Sequence, residues 1–250
     1  ALIFGICFSI TYIYIGGFKS IIRTDIIQFI FMYLGFIVML LYLIYNFGGI
    51  NYLLDNVPSK NLTLTGKLPI GYILSWSLIS MITFIDPSIF QRSYSGKNAN
   101  VVKKGLLISV IFWFIFDILT ITVGLYASAI IDPQTLSNGS PYLLLADTYL
   151  PYILKNIFYI ALLSIVMSTI DSFFLVSSMI IGNDLMNSNS SLNKTKLGLI
   201  ITGVISYIIA TNFKFVIDIW YIFGSIAASS LLIPFLLTLF YKKRRDLQTQ

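Results

Sequence analysis

The residues able to do chemistry in this chain sit where water is scarce. The run "SIVMSTIDS", Ser164 to Ser172, sets four hydroxyls and a carboxylate inside the apolar stretch Tyr159–Gly182, which is long enough to cross a bilayer. Residues three and four apart share a helix face, so Ile165, Ser168, Thr169 and Ser172 line one face, with Ser164 and Asp171 flanking it on the Ser168 side. Hard cations take oxygen ligands. The adjacent hydroxyls of Ser168 and Thr169, with the Ile165 carbonyl one turn earlier, offer three such oxygens. A Ser or Thr four residues on loosens that carbonyl from the helix ladder. The remaining ligands must come from another helix. The alternative is that small hydroxyl side chains only let two helices approach closely.

Three further places put polar groups against apolar sequence. In "GGFKSIIRTDIIQ", Gly16-Gly17 interrupts the run, and Thr24, Asp25 and Gln28 open the next one. There Asp25 is either functional or a carboxylate favourably placed at a helix N-terminus. In "MITFIDPSIFQRSYSGK", Pro87 removes a backbone donor and disfavours helix at Asp86. Asp86 then either contacts a substrate or pairs with Arg92 as a helix-end aspartate. The fourth place is Asp117, with Thr120 one turn later. A charge at the centre of a membrane span costs roughly 2.5–3.5 kcal/mol, so such residues face a bundle interior and serve a purpose.

The elements that must position these groups are membrane spans. Hydrophobic residues make up 57% of the chain and charged ones 10%, against about a quarter charged in soluble domains. Spans of about 20 apolar residues are expected at approximately 1–15, 26–45, 70–90, 105–131, 152–183, 197–210 and 215–241. They form one all-α polytopic bundle spanning 1–250. The third and sixth are short, and the third meets Asp86-Pro87; interrupted spans are the sequence mark of a transporter's binding region. Segments 16–25, 91–104, 184–196 and 242–250 hold twelve of the sixteen basic residues. Positive segments stay inside, so these and the C-terminus are expected to be cytoplasmic. The net charge of +6 thus reports topology, and no nucleic-acid partner is expected. The chain lacks His and has a single Cys7, which removes histidine metal sites, His general-base catalysis and an internal disulfide. The sequons at Asn61 and Asn138 are read as chance in an Asn-rich chain. The start inside an apolar run at Ala1 suggests a piece of a longer protein.

At these residues the sequence resembles the sodium:solute symporter family. Three blocks carry the resemblance: "YIYIGGFKSIIRTDIIQ", "DPSIFQRSYSGKNANVVKKG" and "SIVMSTIDSFFLVSSMIIGNDL". It implies a LeuT-type fold of two inverted five-helix repeats, incomplete here, with these spans as core helices four to ten. It implies a sodium site at the Ile165 carbonyl and the Ser168 and Thr169 hydroxyls, completed by a first core helix that is absent. Asp25 falls on the family's membrane aspartate, implying a second ion or coupling site with Ser164, Asp171 and Ser172. The broken sixth core helix maps to Ile79, Thr83 and Pro87, with Asp86 adjacent, as the substrate lining. Ile79 and Thr83 replace larger aromatic residues of some members, so no known specificity transfers.

The expected function is sodium-coupled symport of a small organic solute by a multi-pass protein of the bacterial inner membrane. Sodium is the coupling ion and only metal, no other cofactor is expected, and the chain is not an enzyme. The competing readings are a proton-coupled carrier using Asp25 or Asp171, the membrane domain of a signalling sensor, and a piece inactive by itself. An intramembrane aspartyl protease does not fit, because none of the membrane aspartates stands in a G-x-G-D or Y-D context.

Overall fold

A computed structural model describes residues 2–137, 139–186, 192–212, 216–238 and 241. Among these the secondary structure is helical, with no strand. Six helical stretches are long and apolar enough to cross a membrane. The first, α1 (Leu2–Phe47), has 46 residues, more than two crossings' worth of helix. It is broken at Gly17, whose φ of 55° and ψ of −145° lie outside the helical region. The expected segments 1–15 and 26–45 therefore both fall on α1, one on each side of Gly17. Glycine alone takes such a conformation without strain, having no Cβ.

Past α2 (Ile50–Asn56) and a short 3-10 turn at Ser59–Leu62, α3 (Ile70–Ser80) runs into a 3-10 segment, Met81–Ile85, and then α4 (Pro87–Tyr94). Expected segment 70–90 is this broken unit. The long α5 (Ala99–Ile130) covers 105–131, and α8 (Tyr152–Met179) covers most of 152–183 before a π-helical turn at Ile180–Leu185. Two short helices, α6 (Pro133–Ser137) and α7 (Pro141–Tyr149), fill the connection between α5 and α8. Segment 197–210 lies in α9 (Leu192–Asn212), and 215–241 falls largely on α10 (Val216–Ala227) and its continuation. Asn138, Lys214 and the basic tail 242–250 lie outside the described residues.

The core is built on α1 packed along α8. A Cβ added at Gly35 of α1 would stand 2.2 Å from the Ala161 Cβ of α8, so the two backbones meet there. Small residues serve this purpose where lipid gives helices no hydrophobic reason to associate. Above that contact, Phe36 sets its ring edge-on to Phe116, Tyr142 and Phe158, tying α1 to α5, α7 and α8. On the other side of Gly35, Ile6, Ile13 and Ile21 pack with Phe174 and Leu175 of α8 and Leu199 of α9. Gly198 of α9 lies against the Ser178 carbonyl; a Cβ there would be 2.3 Å from that oxygen. The buried positions Ala161, Ser164, Met167, Asp171, Phe174 and Ser178 recur at three- and four-residue steps. One stripe of α8 is thereby sealed against its neighbours. Trp113 and Phe114 of α5 are 61% and 65% exposed, as expected of side chains that face lipid.

Candidate functional site: an oxygen cluster between two long helices

The kink at Gly17 and the pairing of α1 with α8 bring Asp25 to Ser168. The Ser168 hydroxyl donates to Asp25 Oδ1 at 2.9 Å. The other carboxylate oxygen, Oδ2, receives Arg92 Nη2 at 2.9 Å. The same nitrogen donates to the Ser172 hydroxyl at 2.6 Å, and Ser172 donates onward to the Ser168 carbonyl at 3.0 Å. Three helices, α1, α4 and α8, thus meet through one carboxylate. Of the two readings of Asp86, pairing with Arg92 does not occur: the structure gives Arg92 to Asp25. Asp86 is satisfied locally. As the N-cap of α4 it accepts the Ser88 amide at 2.7 Å, and Pro87 follows at the first helical position. Capping of this kind satisfies a donor that a helix start otherwise leaves unpaired.

The Thr169 hydroxyl and the Ile165 carbonyl meet one turn apart, while the Ser168 hydroxyl turns to Asp25. The Thr169 hydroxyl donates to the Ile165 carbonyl at 3.1 Å. Thr169 is exposed, whereas Ile165 and Ser168 are half-buried. This turn therefore presents its oxygens at the rim of the described bundle.

Asp171 is placed differently. It is fully buried and holds Gln28 of α1, whose Nε2 donates to Oδ2 at 3.5 Å. Tyr12 and Ser9 of α1 flank the same carboxylate. Ser9 donates to Met167 Sδ at 3.8 Å. Asp171 Oδ1, Gln28 Oε1 and the Tyr12 hydroxyl are buried without a hydrogen-bond partner among the described residues. Ser164, two turns before Asp171 on α8, is buried and spends its hydroxyl on the Ile160 carbonyl at 2.8 Å.

The proposed substrate lining does not converge on these groups. Ile79 is buried against α10, where a Cβ on Gly224 would stand 2.9 Å from its Cγ2; Thr83 and Pro87 are exposed. Asp117 is exposed on α5. Sequence reasoning missed Ser9 and Tyr12, because an isolated Ser and Tyr in an apolar run look like ordinary packing. A cleft of about 390 Å³, lined by residues including Phe18, Ile22, Asp25, Phe29, Arg92 and Ser95, opens onto the Asp25–Arg92 pair. A second groove of about 650 Å³ runs between α3 and α10, past Tyr72, Trp76 and Trp220.

Long apolar helices, one of them broken at an Asp-Pro step, define a multi-pass helical membrane protein. Residues 1–246 match the sodium:solute symporter family, and the chain belongs to that family. The sodium/pantothenate symporter of Haemophilus influenzae is 30% identical over 181 residues, which are 70% of this chain and 37% of that relative. The chain thus matches well under half of that relative's length. No solved structure matches it.

Proposed function

We propose that the protein carries a small organic solute across the membrane together with sodium, by the alternating rocking of a LeuT-type inverted-repeat bundle. The observation that carries this reading is the Ser168–Asp25 contact, which joins the hydroxyl turn of α8 to a membrane carboxylate of α1. It sets a negative charge against the Ser168 hydroxyl, and carboxylate, hydroxyl and carbonyl oxygens are the ligand chemistry a sodium ion requires. A first core helix would supply the remaining ligands against the exposed Thr169. Asp25, Ser164, Asp171 and Ser172 form the second ion or coupling region, while Ile79, Thr83, Asp86 and Pro87 belong to the substrate path. Each sodium ion entering down the membrane potential contributes about 2.3 kcal/mol per 100 mV. That supports roughly fiftyfold solute accumulation from voltage alone.

The charge of the connecting segments supports an inner-membrane protein with the basic loops and the C-terminus in the cytoplasm. No covalent step and no cofactor beyond the coupling ion is required. Pantothenate, the solute named for the Haemophilus influenzae relative, is the first to test, within a panel of vitamins, carboxylates, amino acids and sugars. The experiment is uptake by the full-length protein in liposomes with and without a sodium gradient. Uptake of one solute that requires sodium is the expected result. Uptake that ignores sodium and follows pH would contradict it.

A further inference from the structure

Asp25 has two carboxylate oxygens, and both are taken. Ser168 holds Oδ1, and the Arg92 guanidinium holds Oδ2. A cation entering beside Ser168 therefore meets a carboxylate that already has a positive partner. That partner is held loosely for an arginine. One nitrogen, Nη2, makes both the Asp25 and the Ser172 contacts, and among the described residues Nη1 reaches only the Ser88 carbonyl, at 3.4 Å. The pair lacks the two parallel bonds that make arginine–carboxylate contacts strong. Its side chains are 38% and 22% exposed, with the cleft lined by Phe18 and Ser95 at their edge. Water therefore has a path to the guanidinium.

Arg92 is nevertheless carried on a fixed element. Asp86 and Pro87 start α4, and Gln91 donates to Met179 Sδ of α8 at 3.1 Å. The guanidinium is the tip by which the broken unit α3–α4 grips both α1 and α8. Release of that tip frees α4 from α1, while Gln91 still holds it to α8.

Resting on the sodium reading above, we infer that Arg92 is a resident counter-charge for Asp25, which holds the carboxylate while the ion site is empty and is displaced when sodium arrives. Arg92 is a positioning residue in this scheme, since it acts on the ion through Asp25. It keeps an ion-free carrier closed at α4 and prevents Asp25 from drawing sodium through without solute.

The experiment uses the full-length protein in liposomes, as wild type, Arg92→Gln and Arg92→Lys. Two quantities are read: the sodium concentration giving half-maximal uptake, and the flux of radioactive sodium with no solute present. In Arg92→Gln the half-saturating sodium is expected to fall about two- to fivefold, the effect of losing one part-exposed competing charge, and solute-free sodium flux to rise. Arg92→Lys, which keeps the charge, should restore most of the wild-type behaviour. Half-saturating sodium that rises or stays put in Arg92→Gln overturns the proposal, as does a lower maximal rate with both ion readouts unchanged. A wild type whose uptake needs no sodium overturns the symport reading itself, and is thereby told apart from a failure of the Arg92 assignment alone.

Discussion

At the scale of single residues, the account turns on which oxygens are free and which are held. Ser168 donates to a charged acceptor, a contact worth about 1.5–3 kcal/mol. Ser168→Ala should raise the half-saturating sodium concentration by about tenfold or more, checked by sodium titration of solute uptake. Far from the ion cluster, Asp147 of α7 is held below the ordinary carboxylate range, chiefly by the Tyr159 hydroxyl and secondarily by Lys155. A carboxylate depressed in the folded state adds stability at pH values above its unfolded pKa, about 3.9 for Asp, and loses it as pH falls through the folded value. Thermal midpoints of wild type and Tyr159→Phe should therefore differ slightly near neutral pH and converge in stronger acid. The meeting of Thr169 with the Ile165 carbonyl was legible in the sequence, because helical spacing alone sets residues four apart on one face. The partner of Arg92 was not. Asp86 lies six residues away in sequence and Asp25 sixty-seven, yet Asp86 is already satisfied by the Ser88 amide. Only the packing of α4 on α8, which itself lies along α1, decides the pairing.

At the scale of elements, glycines set how closely helices approach and where one of them breaks. Gly17 of α1 has a positive φ that a residue with a Cβ adopts only under strain, at a cost of order 1–3 kcal/mol. Gly17→Ala should lower the thermal midpoint of the purified protein and, by shifting Asp25 relative to Ser168, weaken its sodium dependence. Gly198→Val should reduce the yield of folded protein, because the new Cβ would stand 2.3 Å from a backbone oxygen of Ser178. Gly5→Ala meets nothing within 4 Å and should leave yield unchanged; gel-filtration profiles of the two variants test the contrast. The break at Gly16-Gly17 and the interruption at Asp86-Pro87 were both readable, since each follows from backbone chemistry. The closeness of Gly35 to Ala161 was not, because nothing local marks which glycine of an apolar helix faces a partner.

At the scale of the whole molecule, apolar runs and their charged borders carry most of what the sequence declares. The helices of the structure fall on the apolar runs because each must satisfy its own backbone where no water is present. The sequence could not reveal which faces are sealed. In α8 the stripe through Ser164 and Asp171 is buried, while Thr169 one step round the helix is exposed. The positive segments predict a sidedness that single-cysteine labelling tests. A cysteine at Asn98 should react only with reagent on the cytoplasmic side, and one at Lys60 only from outside; the reverse pattern would invert the bundle. The most direct measurement is binding of radioactive sodium to the purified full-length protein, comparing wild type with the Ser168→Ala, Thr169→Ala double variant. Saturable binding that the double variant loses, or that weakens at least tenfold while the protein stays folded, is the result expected from an oxygen site on α8. Sodium affinity equal to that of wild type in the double variant would contradict it.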